Sequence, residues 1–120
     1  MQDSAPHILI VDDDASVRDA LATALRKSYV VHGAATGDEG CQILERHPIA
    51  AIILDVMLGR ENGLEMVARF RTLSQAPIMV LTAYGSEEVA VRALRAGVSD
   101  YLRKPFNLAD LRASLSRLVH

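Results

Sequence analysis

Tryptophan is absent, and three tyrosines and two phenylalanines are the whole aromatic complement of 120 residues. The core must therefore be filled by aliphatic side chains, and half of the chain is hydrophobic. One cysteine, Cys41, excludes an internal disulfide and fits a reducing compartment; it falls on the apolar side of an expected helix, as a small core residue. A basic excess is also missing. Thirteen Lys and Arg against fifteen Asp and Glu give a net charge of -2, which argues against direct nucleic-acid binding. No apolar run approaches the roughly 20 residues of a membrane span. The opening Met1-Gln2-Asp3-Ser4 lacks the basic-then-apolar pattern of a signal peptide. These absences lead to the expectation of a cytoplasmic protein with no membrane partner. No repeat, low-complexity stretch or Pro/Gly-rich linker interrupts the chain, and its length suits one domain over 1–120, with an ordered core from residue 5 to 119.

What the chain has is a set of short apolar runs that stop on polar residues. Ile49-Ala50-Ala51-Ile52-Ile53-Leu54 ends on Asp55, and His7-Ile8-Leu9-Ile10-Val11 ends on Asp12-Asp13-Asp14. Pro77-Ile78-Met79-Val80-Leu81 ends on Thr82, and a shorter run, Ser99 to Arg103, ends on Lys104-Pro105. Continuous apolar runs of this length suit strands buried on both faces of a parallel sheet. Tyr29 to Ala34 is less apolar and suits a strand nearer the sheet edge.

Between the runs the period changes to helical. Val17, Leu21, Ala24 and Leu25 mark a first helix to about Ser28. Thr36 is placed to cap a second, with Asp38 and Glu39 in its first turn and Cys41 and Leu44 inward, ending before Pro48. A loop over Val56 to Asn62 leads to a third helix, capped by Asn62, with Leu64, Val67 and Ala68 inward. Ser86 opens a fourth with Val89, Ala90, Ala93 and Leu94, closed by Gly97, a residue that tolerates positive φ. Asn107 and Asp110 resemble a capping box for a last helix striped by Leu108, Leu111, Leu115 and Leu118. Five strands alternating with five helices imply parallel pairing and right-handed crossovers, an α/β doubly wound three-layer sandwich. Periodicity alone leaves the strand order open.

In such a sheet the ends of all strands that carry Asp12, Asp13, Asp55, Thr82 and Lys104 lie on one edge, where open α/β folds place their chemistry. A lone aspartate there is also what an ordinary turn uses. Three carboxylates together, however, repel unless a cation compensates them, and an oxygen-only cluster suits a hard divalent ion such as Mg2+, with Mn2+ as the alternative. A carboxylate beside a metal, with a hydroxyl and an ammonium, is what phosphoryl transfer to an aspartate requires. Asp55, the single acid on the central strand, is the better nucleophile, and Asp12 and Asp13 are the better metal ligands.

Four stretches then resemble one family. Ile-Leu-Ile-Val-Asp12-Asp13-Asp14-Ala-Ser-Val-Arg18, Ile-Leu-Asp55-Val-Met-Leu, Val-Leu-Thr82-Ala83-Tyr84 and Asp-Tyr101-Leu-Arg-Lys104-Pro105-Phe106 look like the response-regulator receiver domain of two-component signalling. The resemblance spans essentially the whole chain and implies a flavodoxin-like sheet in the order 2-1-3-4-5. It makes Asp55 the phosphoacceptor, with Thr82 and Lys104 binding the phosphoryl group. Asp12, Asp13, Asp55 and the backbone carbonyl of Met57 would hold the metal. It makes Thr82 and Tyr101 the switch pair and the Lys104–Pro105 bond cis. The implied partners are a histidine kinase or phosphotransfer protein, and an output domain or downstream protein. A homodimer would form through the face of the fourth helix, fifth strand and fifth helix, where Val91, Arg92, Arg95, Tyr101 and Arg103 fall. On this reading the chain is not an enzyme beyond its own phosphorylation and dephosphorylation. Gly59, where the family usually has proline, and Asn62, where an aspartate commonly stands, are departures that bear on loop rigidity.

Two rivals use the same residues. A phosphatase or phosphotransferase of the haloacid-dehalogenase kind would take Asp12 as nucleophile, but it lacks its later acidic motif: only Asp110 follows Lys104, within a helix. A pseudo-receiver would bind without being phosphorylated, which the intact Asp13, Asp55, Thr82 and Lys104 set argues against. A dinucleotide site lacks its G-x-G-x-x-G fingerprint.

Overall fold

The computed structural model describes residues 5–55, 57–58, 61–82, 88, 92, 95 and 97–119; for residues 57–58 and 61–64 it describes the backbone alone. Five strands form one parallel sheet: β1 (His7–Val11), β2 (Val30–Ala34), β3 (Ile49–Asp55), β4 (Ile78–Thr82) and β5 (Asp100–Arg103), in the order β2-β1-β3-β4-β5. Four helices are described: α1 (Ala15–Leu25), α2 (Gly37–Arg46), α3 (Gly63–Arg71) and α4 (Leu108–Leu118).

Burial on both faces explains the unbroken apolar runs. Leu9, Val11, Ile52, Leu54, Ile78 and Val80 face one way, into a core closed by Leu44 of α2 and by Met66, Val67 and Phe70 of α3. Ile8, Ile10, Ile53, Met79 and Leu81 alternate with them and face the other way, against Leu21 and Leu25 of α1 and Leu111 and Leu115 of α4. Cys41 lies in the first core, where burial pushes its thiol pKa up. At the edge, β2 pairs with β1 alone in this sheet, and Val30 is exposed.

The helix ends follow local chemistry. The Thr36 hydroxyl accepts the Glu39 N–H at 3.1 Å, and the Asn107 carboxamide oxygen accepts the Asp110 N–H at 2.7 Å, so both expected caps form. The first helix stops at Leu25 rather than near Ser28, because the Ser28 and Tyr29 N–H groups both turn back to the Leu25 carbonyl and steer the chain into β2. In α4 the inward stripe begins at Leu111; Leu108, the first helical residue, is exposed.

Part of the expected loop after β3 is instead a short antiparallel ribbon, with Met57 opposite Asn62 and Leu58 opposite Glu61, the last two separated by two intervening residues. That separation is the one most hairpins use. The expected Asn62 cap involves a side chain outside the described ones. Most of the expected fourth helix, with Ser86, Val89, Ala90, Ala93 and Leu94, also lies outside the described residues, as do Ala83, Tyr84, Val91 and Gly59. Glu88, Arg92 and Arg95 of that segment are helical and exposed, and Gly97 takes φ +101°, the conformation glycine was expected to supply.

Candidate functional site

The sheet register assembles the site. Val11 pairs with Leu54, Asp55 with Leu81, and Thr82 with Arg103, so the residues at and just beyond these ends share one edge. The Asp12 N–H continues the ladder to the Ala34 carbonyl at 3.0 Å, and the Lys104 N–H donates to the Thr82 carbonyl at 2.7 Å. Asp12 and Lys104 thereby extend their strands by one residue each.

Three charged groups meet at that edge. Lys104 Nζ donates to Asp55 Oδ2 at 2.9 Å and stands 3.9 Å from Asp12 Oδ2. Both carboxylates are buried, whereas the lysine side chain is one third exposed. Lys104 enters from a cis Lys104–Pro105 peptide. One ammonium thus faces two buried carboxylates.

Asp12 carries the cost of this arrangement. Its Oδ1 accepts the Asp14 N–H at 2.9 Å, but its buried Oδ2 has no hydrogen-bond partner among the described residues. Burial pushes its carboxyl pKa up, opposed by the Asp14 N–H, raised again by the Asp55 charge and lowered by Lys104. Thr82 Oγ1 is the other buried side-chain atom left without a partner among the described residues. Buried polar groups are nearly always satisfied in native proteins, so two orphans at one edge mark a place built for a ligand or ion.

Asp13 is exposed beside Asp12. Asp14 caps α1, its Oδ1 accepting the Ser16 N–H at 2.9 Å. Met57 contributes backbone two residues beyond Asp55, in the ribbon. Tyr101 lies on β5 opposite Val80 and is 36% exposed. Arg18 is a residue whose part the sequence reading missed: its Nη1 donates to the Asp12 carbonyl at 2.6 Å and ties α1 to the end of β1. Its position one turn into the helix that follows Asp12 was the available signal.

Removing the Asp12 charge relieves desolvation and repulsion at once. Asp12→Asn is expected to raise the melting temperature in metal-free buffer at neutral pH by a few degrees, about 1 kcal/mol. Thermal unfolding monitored by circular dichroism checks this; a melting temperature below that of the wild type would show that the Asp12 charge is stabilising where it stands.

The fold and this edge agree with sequence comparison. A family model described as response regulator receiver domain matches residues 8–116, and the chain belongs to that family. Response regulator MprA of Mycobacterium sp. (strain KMS) is 41% identical over 114 residues, covering 93% of this chain and 50% of that protein. The chain thus spans about half the length of the curated relatives it matches.

Among solved structures, a CheY-like receiver domain protein from Methanospirillum hungatei superposes with a TM-score of 0.88 at 32% identity, covering 95% of this chain and 93% of that one. A response regulator from Burkholderia pseudomallei gives 0.85 at 34% identity, covering 92% and 66%. Family membership leaves the haloacid-dehalogenase reading without support.

Proposed function

We propose that Asp55 accepts a phosphoryl group from a histidine kinase or phosphotransfer protein, and that Lys104 and Thr82 hold the group once it arrives. The observation that carries this reading is the Asp55–Lys104 pair at 2.9 Å, flanked by the unpartnered Asp12 Oδ2 and Thr82 Oγ1. In the transfer, an Asp55 carboxylate oxygen forms the new bond to phosphorus while the bond to the donor's leaving atom breaks. Lys104 offsets charge on the phosphoryl oxygens, and the Thr82 hydroxyl is available to donate to one of them. The Burkholderia pseudomallei regulator described above carries a phosphorylated aspartic acid and a calcium ion, which supports the reading.

The orphaned Asp12 Oδ2 beside a second carboxylate fits a hard cation, because such ions take oxygen donors and offset buried negative charge. Asp12, Asp13, Asp55 and the Met57 backbone carbonyl are the residues that would hold Mg2+, or Mn2+ in its place. Bound there, the ion neutralises charge on the phosphoryl oxygens.

Phosphorylation adds about -1.5 to -2 charge at this edge and biases a two-state switch. Thr82 moves toward the new group and Tyr101 rotates inward from its exposed position. The surface carrying Arg92, Arg95, Tyr101 and Arg103 then presents a changed face to an output domain, a downstream protein or a second copy of the chain. Those four residues are exposed. No described helix is long and apolar enough to cross a membrane. As the phosphoacceptor of a histidine kinase, the domain is assigned to the cytoplasm, as a signalling module whose only chemistry is its own phosphorylation and dephosphorylation.

The test is intact-mass analysis after incubation with acetyl phosphate and Mg2+. One added phosphoryl group is expected on the wild type, dependent on Mg2+ and absent from Asp55→Asn. A folded wild type that gains none would instead be a binding module that resembles a receiver.

A further inference from the structure

The opposite edge of the sheet gathers three histidines that the phosphoryl chemistry does not use. His7 opens β1, His32 lies in β2 and His47 caps the C-terminal end of α2 just before β3. His7 and His32 stand two residues apart in register, since Leu9 pairs with His32, which puts both on the sheet face that α2 covers. His7 Nδ1 and His32 Nε2 are 2.9 Å apart, and the ring centroids of His32 and His47 are 4.3 Å apart. One ring nitrogen from each of the three lies within 4.8 Å of the other two.

We propose that His7, His32 and His47 form a binding site for a divalent late transition metal, with Zn2+ as its representative. Imidazole nitrogen suits Zn2+, Ni2+ and Cu2+, whereas Mg2+ and Ca2+ prefer oxygen. Zinc–nitrogen bonds of about 2.0–2.1 Å place two ligand atoms on a tetrahedral ion about 3.3 Å apart. The His7 and His32 nitrogens, 2.9 Å apart, would open by about 0.4 Å, and the widest separation, up to 4.8 Å, would close by about 1.5 Å. His47 is exposed, whereas His7 and His32 are partly buried.

The metal-binding form of histidine is the neutral ring. Burial lowers the His32 pKa, and the neighbouring His47 and His7 lower it further, which favours that form at His32. A fourth coordination position is left for water or an outside ligand. The ion would join the starts of β1 and β3 to the edge strand β2. His7 and Asp12 are five residues apart on an extended strand, about 16 Å at about 3.3 Å per residue, so this site is separate from the carboxylate edge.

Zn2+ is titrated calorimetrically into the 120-residue chain with millimolar Mg2+ present to occupy the carboxylates, and thermal unfolding is followed with and without Zn2+. One Zn2+ per chain is expected, with micromolar or tighter affinity and a raised melting temperature. His32→Gln and His47→Gln should each weaken binding roughly tenfold or more and remove most of the thermal shift. Asp55→Asn should leave both readouts unchanged. Because His47 is exposed, its variant tests the site even where His32→Gln fails to fold. Binding of equal strength in His47→Gln, or no binding below millimolar Zn2+, overturns the proposal and leaves three imidazoles that stack and share a proton.

Discussion

Lys104→Ala is expected to slow phosphorylation from acetyl phosphate by roughly 10²–10³-fold while leaving the fold intact. The lysine is the ammonium within reach of both buried carboxylates among the described residues, 2.9 Å from Asp55 and 3.9 Å from Asp12. A group that offsets charge developing on the phosphoryl oxygens acts on the barrier more than on the folded ground state. Its side chain is one third exposed, so solvent screens its ion pair and limits its contribution to stability. Lys104→Arg should rescue only in part, since a planar guanidinium cannot occupy the place of a compact ammonium. Time-resolved intact mass reads the rate, and circular dichroism reports the fold. A rate within about threefold of wild type would mean that Lys104 serves the resting site alone.

The largest effect on stability is expected at Phe70, a side chain of α3 that is completely buried. It lies against Gly40 of α2: a Cβ added there would stand 3.1 Å from Phe70 Cζ and 3.3 Å from Val11 Cγ2. Phe70→Ala should cost about 3–5 kcal/mol, a large share of the 5–15 kcal/mol typical of a domain. The same geometry gives the pair a coupling. Gly40→Ala alone should destabilise by about 1–3 kcal/mol through crowding, despite the better helix propensity of alanine. In the Phe70→Ala background that crowding is relieved, and Gly40→Ala should cost little or become favourable. Urea unfolding of the four proteins in the cycle measures this, and additive effects would show that Gly40 and Phe70 do not share the contact. Val11 stands one residue before Asp12, so the same packing supports the end of β1 where the site begins.

Much of this architecture was legible in the sequence because it rests on local rules. Buried parallel strands need unbroken apolar runs, and the runs ending on Asp12, Asp55 and Thr82 fall where the strands fall. Thr36 and Asn107 cap their helices because the short polar side chain and the N–H it satisfies lie three residues apart. Strand order came from family resemblance, since periodicity records which faces are buried and not which strands are neighbours.

Features that depend on tertiary register were not legible. His7, His32 and His47 are scattered along the chain, and only the pairing of β1 with β2 and the end of α2 bring them together. The orphaned Asp12 Oδ2 is equally invisible in a run of three aspartates, because burial distinguishes Asp12 from the exposed Asp13 and Asp14. The early end of α1 and the ribbon after β3 depend on backbone hydrogen bonds that no side-chain pattern announces.

Asp55, and no other carboxylate of this edge, is proposed to receive the phosphoryl group. An aspartyl phosphate is an acyl phosphate, which borohydride reduces to homoserine, so peptide mass mapping after phosphorylation and reduction locates the modified residue. Homoserine is expected at position 55, with unmodified aspartate at Asp12 and Asp13. Homoserine at position 12 or 13, with position 55 intact, would contradict it.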